Sequence, residues 1–193
     1  MPKSFSEQRS AVQPRMIRPA LLSLFCVGLW LPAGADDALA RLERDLARGP
    51  TATEVLARWC GELHFADPPQ IHAEPAPGKN LPDAGVRALL KVSTSELVDY
   101  RRVQLTCGGH VLSVADNWYV PSRLTPDMNR TLDTTDTPFG TVVKPLGIHR
   151  LTLSALPTQA GSTVFRVRAL LLLPENRPIS LVVENYQKSL LGR

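Results

Sequence analysis

From Val98 to Gln187 the chain runs in short stretches of alternating apolar and polar residues broken by turn residues, and this restricts it to antiparallel β-structure. Val103-Gln104-Leu105-Thr106-Cys107 alternates with period two, Gly108-Gly109 is a two-residue hairpin turn, and 111–120 is the return strand. Three more strands are expected over 148–156, 163–173 and 179–187, with turns over 157–161 and 174–178.

Helical signals lie before and between these strands. Residues 36–47 place Leu39, Leu42 and Leu46 at helical spacing, with acidic residues at the start and Gly49-Pro50 at the end. Thr51-Ala52-Thr53-Glu54 is a capping box for a second helix with Val55, Leu56 and Trp59 on its apolar side. The Pro-rich stretch 66–82 reads as an irregular crossing segment with a short strand near 70–72. From Ala88 onward the pattern reads as strand. Thr125-Pro126 starts a short helix to about Leu132, and Thr137-Pro138 starts another through Val143. Two helices followed by hairpins with two short helices between them is an α+β pattern: an antiparallel sheet with flanking helices.

The first 35 residues read as a secretory signal. Lys3, Arg9, Arg15 and Arg18 form a basic region, 20–31 is an apolar run too short for the ~20 residues of a membrane span, and Ala33-Gly34-Ala35 suits cleavage before Asp36. Met16 is an alternative start, and an uncleaved anchor is the competing reading of the run. On this reading 36–193 is a single domain, periplasmic or secreted, with no stable membrane span after cleavage. The whole chain carries +4, but residues 1–35 hold four Lys/Arg and one Asp/Glu, which leaves 18 basic against 17 acidic residues in the remainder. A nucleic-acid partner is therefore not expected from charge. Beyond residue 35 two cysteines remain, Cys60 and Cys107. An even count in an exported protein points to a bridge, for which their Cα atoms must come within ~7 Å; two buried thiols are the alternative.

Most chemistry-bearing motifs are absent. His64, His72, His110 and His149 have no i,i+4 partner, neither cysteine belongs to a CxxC pair, and no GxSxG, P-loop or GxGxxG occurs, so no metal or cofactor is expected. The better candidates are charges on strands. Glu184 shares a face with Ser180, Val182 and Tyr186, and a carboxylate among apolar groups needs a cation, a donor or a ligand. On the first strand Arg102 aligns with Gln104 and Thr106, and Arg101 aligns with Val103, Leu105 and Cys107. One of these arginines should face inward, and periodicity does not say which. Arg166 and Arg168 look like a solvated strand face; Arg123 and Arg150 are further anion partners. An edge-strand Arg102–Glu184 ion pair is the bland alternative to a site.

Over about 98–191 this order resembles the chorismate lyase family, cofactor-free enzymes that release 4-hydroxybenzoate and pyruvate from chorismate. Arg102, Cys107 and Gly108-Gly109 match the family's arginine, cysteine and hairpin turn; Pro121 matches a proline four residues after an arginine position that here holds Asn117. Pro138-Phe139-Gly140 stands where the family has Pro-Leu-Gly, and Glu184 precedes Tyr186 as the family's glutamate precedes an aromatic. The resemblance implies a buried site for a small aromatic carboxylate, with Arg102 on the ring carboxylate and Glu184 as the catalytic group at the 4-hydroxyl. Asn117, Arg123 and Arg150 complete the expected ligand set.

Asn117 brings no charge to a dianionic substrate, and chorismate is made in the cytoplasm. Three functions follow: an active chorismate-lyase-type carbon–oxygen lyase, a catalytically silent exported binder of a hydroxybenzoate-like acid, and an envelope interaction protein using the same fold. That fold also serves as the effector-binding domain of GntR-type transcription regulators; no helix-turn-helix segment is read in this chain, which sets the regulator function aside.

Overall fold

The computed structural model describes Met1 and residues 33–49 and 51–192. Of the expected signal, all but Met1 and the last three residues lie outside this range, and those last three form the first turn of helix α1, Ala33–Arg48. Helix α2, Ala52–Glu62, starts where the capping box puts it: the Thr51 hydroxyl accepts the Glu54 amide at 3.2 Å. Strand β1 is His72–Pro75 and helix α3 is Ala84–Leu90. The hairpin is β2, Asp99–Cys107, and β3, His110–Tyr119. Helices α4, Pro126–Thr134, and α5, Phe139–Val143, follow, and then strands β4, His149–Pro157, β5, Thr163–Leu173, and β6, Arg177–Gln187.

The six strands form one antiparallel sheet in the order β1-β2-β3-β6-β5-β4. This is the α+β class expected. Helix α3 is the element that strand periodicity overran: the Asp83 carboxylate caps the Val86 amide at 2.7 Å, and Val86 and Leu90 bury against Trp118, Leu170 and Leu181. Gly108 and Gly109 both have positive φ, as a two-residue turn of this type demands, and a Cβ at Gly108 would lie 1.9 Å from the Phe65 carbonyl oxygen.

One sheet face carries α1 and α2. Leu42 and Leu46 of α1 and Leu56 and Trp59 of α2 pack on Val103, Leu105, Phe165, Val167 and Tyr186. Each fully buried leucine there contributes about 1.5–3 kcal/mol. Cys60 of α2 and Cys107 of β2 form a disulfide with Cα atoms 6.3 Å apart, fastening the helical layer to this face. The opposite face carries α3, while α4 and α5 close one end of the sheet around Tyr119, Leu132, Val143 and Ile179.

Candidate functional site

Strand register decides which polar groups meet. In antiparallel pairs, residues opposite one another point to the same face. Arg101 pairs with Asn117 and Asn117 with Val182; Val103 pairs with Ala115 and Ala115 with Glu184. All of these look toward the helical layer. Arg102 pairs with Asp116, which pairs with Val183, and these look the other way.

Between the helical face, the first turn of α2 and the start of α5 lies a cavity of about 50 Å³. Its walls are largely apolar: Val103, Leu105, Ala115, Leu171 and Val182 from the sheet, Ala52 from α2, and Pro138 and Phe139 above. Three polar side chains of the sheet reach it: Arg101, Asn117 and Glu184. Gly140 lets α5 sit directly on α2, because a Cβ there would lie 2.9 Å from Thr53 Oγ1.

Arg101 is half-buried and, among the described residues, its side chain has no hydrogen bond or ion pair. Burial pulls its guanidinium below the ordinary value, with Tyr119 and Asp133 pulling back, and it stays charged. Asn117 is 4% exposed. Its Oδ1 accepts from the Ser180 hydroxyl, while its Nδ2 is buried with no acceptor. Two donors at one apolar cavity are thus without protein acceptors.

Glu184 accepts three hydrogen bonds from two neighbours. Arg150 Nη1 donates to Oε1 at 3.3 Å and Arg150 Nη2 to Oε2, and the Tyr186 hydroxyl donates to Oε2 at 2.8 Å. The Arg150 and Glu184 side chains are 6% and 7% exposed. A carboxylate offers about four acceptor sites, so one site on Oε1 stays open for a ligand hydroxyl. Against its own desolvation, Glu184 and Tyr186 hold Arg150 above its ordinary value.

The site expected from the sequence is therefore corrected in three places. Arg102 and Glu184 do not meet. Arg102 lies on the far face, where it donates to both Asp116 oxygens at 2.8 and 3.1 Å, and the Tyr100 hydroxyl joins the same carboxylate at 2.5 Å. Arg123 is a structural fastener: its guanidinium donates to the carbonyls of Leu90, Lys91 and Pro178 at 2.7, 3.1 and 2.5 Å, tying the end of α3 to β6. Arg150 reaches the site, but as the counter-ion of Glu184 and not as an anion receptor. Asn117 and Glu184 do line the cavity, and Arg101, singled out by neither resemblance nor charge, joins them.

All three tyrosines of the chain are held above their ordinary value. Burial is the main cause in each; Asp99 adds to it for Tyr119, pushed up to about 12, and Glu184 adds to it for Tyr186. The unfolded chain releases these protons near pH ~10 and the folded chain does so later. Stability present below pH ~10 is therefore lost as pH rises toward 12. Tyrosinate absorbance from Tyr119 and Tyr186 should appear only together with loss of the far-UV circular dichroism. Two or more tyrosines titrating reversibly near pH ~10 in the folded protein would contradict these environments.

No family model matches the chain. Among solved structures it is similar to the effector domain of PhnF from Mycobacterium smegmatis, at 14% identity and TM-score 0.53, covering 72% of this chain and 90% of that one. A GntR-family transcriptional regulator from Enterococcus faecalis matches at 11% identity and TM-score 0.43, covering 57% and 88%. The fold is thus the chorismate lyase-like α+β fold of such effector domains. The likeness to the PhnF effector domain corrects the expectation of no nucleic-acid partner, which the near-neutral charge does not establish. Among curated proteins, the uncharacterized protein y4mC of Sinorhizobium fredii is 36% identical over 188 residues, covering 83% of this chain and 79% of the relative. With that identity over most of both chains, this protein belongs to the y4mC family.

Proposed function

We propose that the protein binds a small aromatic carboxylate of hydroxybenzoate type in the cavity on its helical face, with Arg101 holding the carboxylate. The observation that carries this reading is that the half-buried Arg101 guanidinium, which has no side-chain partner among the described residues, and the buried, unsatisfied Asn117 Nδ2 both line a mostly apolar cavity. A guanidinium fork matches a carboxylate in two parallel hydrogen bonds, and a buried donor without an acceptor favours a ligand that supplies one. The apolar walls suit a ring, and the open acceptor site on Glu184 suits a hydroxyl. The chorismate lyase-like fold adds support, since a small-molecule site is its common use.

Binding without turnover is the reading favoured here, as a divergent relative of the chorismate lyases. Glu184 is already paired by Arg150 and Tyr186, which supports orienting a hydroxyl more than removing its proton, and Asn117 adds no charge for a second carboxylate. The basic region and apolar run of residues 1–35 support export.

Titration calorimetry with 4-hydroxybenzoate tests the site. Arg101→Ala should cost about 1.5–3 kcal/mol of binding, the range for a hydrogen bond to a charged group, whereas Arg102→Ala should change it by less than about 0.5 kcal/mol. The reverse ranking would move the site to the other face. Release of pyruvate from chorismate, rising on Asn117→Arg, would replace the binder by a weakened lyase. No binding at millimolar ligand in any variant would end the ligand reading.

A further inference from the structure

The two edges of the sheet are not alike. Strand β1 is four residues long, and on its outer side the Ala73 amide donates to the Asp136 carbonyl oxygen at 2.6 Å. Strand β4 is nine residues long, seven of them exposed, and among the described strands it pairs with β5 alone. A free edge offers a row of backbone donors and acceptors to another strand, and proteins ordinarily blunt it with lysine, proline or brevity. Lysine is absent from 149–157 and proline comes only at its end, so a bulge between Thr152 and Ser154 is the one such device. Leu151, Leu153 and Leu156 of this edge are 48%, 38% and 62% exposed. Apolar groups gathered in the open in this way mark an interaction surface.

The two faces beside the edge differ. On the helical face Ala155 pairs with Val167 and Pro157 with Phe165. A cleft of about 300 Å³ lies there, walled by α1 at Leu46 and Ala47, floored by Phe165 and Val167, and bordered at the edge by Thr152 and Ala155. A benzene-sized group occupies ~150 Å³, so the cleft has room for one or two large apolar side chains. The short side chains of Thr152 and Ala155 leave it open toward the place of a seventh strand. On the other face Ser154 pairs with Arg168 and Leu156 with Arg166. Arg166 donates to Asn185 at 2.8 Å, and among the described residues neither arginine has a carboxylate partner. Strands two apart are separated by ~9.5 Å, a span that an arginine and a glutamate bridge together.

We propose that β4 is a strand-addition site, taking as a seventh strand an extended segment of a partner protein in which large apolar residues alternate with acidic ones. The apolar residues fill the cleft beside α1, the acids meet Arg166 and Arg168, and main-chain hydrogen bonds along 149–157 hold the strand. A second copy of β4 does not meet these demands. Its own helical-face residues, Arg150, Thr152, Ala155 and Pro157, include no large apolar group, and 149–157 contains no acid to meet the arginines. The site stands apart from whatever the Arg101 cavity binds.

A short synthetic peptide alternating leucine with glutamate is the probe; the same peptide with lysine for glutamate, or with proline at its centre, is the control. Fluorescence anisotropy should show the glutamate peptide bound and both controls weaker by roughly 10-fold or more. Ala155→Trp fills the cleft from an exposed position and should weaken the glutamate peptide by roughly 10-fold or more, as exclusion of an anchoring side chain does. Arg166→Glu with Arg168→Glu should reverse the preference toward the lysine peptide. Circular dichroism matching that of the parent shows these variants folded. Hydrogen exchange over 149–157 should slow with peptide bound and stay unchanged over β1. No binding of the glutamate peptide at millimolar concentration, equal binding of the lysine peptide, or protection that misses 149–157 overturns the proposal. So does a dimer in sedimentation velocity that Ala155→Trp dissociates, because a second copy would then be the occupant.

Discussion

Arg150→Met is expected to destabilise the protein by about 3–5 kcal/mol, the cost of leaving a buried carboxylate without its cation. Glu184 is 5% exposed, and with Arg150 gone only the Tyr186 hydroxyl would face its charge. A domain of this size has ~5–15 kcal/mol of stability in total, so the loss should be plain in a urea midpoint. The companion double variant Arg150→Met with Glu184→Leu removes both charges and should recover most of the loss, because the desolvation cost of the pair goes with it. Arg150→Met within ~1 kcal/mol of the parent would mean that the pair is not the buried, mutually dependent unit described. The same coupling complicates Glu184→Gln as a probe of catalysis: it strands the Arg150 guanidinium, whose Nε already lacks a partner.

The second large effect is covalent. The Cys60–Cys107 bridge closes a loop with sequence separation 47. On the chain-entropy account this contributes ~4 kcal/mol by restricting the unfolded chain. Cys60→Ala with Cys107→Ala should lower the urea midpoint accordingly and leave the folded secondary structure unchanged. Both cysteines are no more than 1% exposed, so a reductant should open the bridge only after unfolding. A midpoint unchanged by the double substitution would show that α2 is held to the sheet by packing alone.

The strands were legible because their signals were local: period-two alternation in 103–107 and 111–120, and glycines where both turn residues need positive φ. Helix α3 was not, since seven residues containing Gly85 give little periodicity, and the apolar Val86, Leu89 and Leu90 suit either structure. The Asp83 cap was its one readable sign. The expected bridge between Cys60 and Cys107 is present.

The choice between Arg101 and Arg102 shows where reading by resemblance went astray. Cys107 can bridge to α2 only if it points at the helical layer, and Arg101, six residues earlier on the same strand, then points there too. The two observations together select Arg101. Motif matching selected its neighbour, and a one-residue slip in a strand moves a side chain to the opposite face. The Arg150–Glu184 pair was beyond sequence reading, because it depends on β4 and β6 being brought together across β5.

A crystal structure of the oxidised protein soaked in 4-hydroxybenzoate tests most directly whether Arg101 and its cavity form the ligand site. The predicted result is the ring between Val103, Val182 and Phe139, its carboxylate on Arg101 and Asn117 Nδ2, and its hydroxyl on Glu184. A ring bound on the Arg102 face, or no ring in the cavity at saturating ligand, would contradict it.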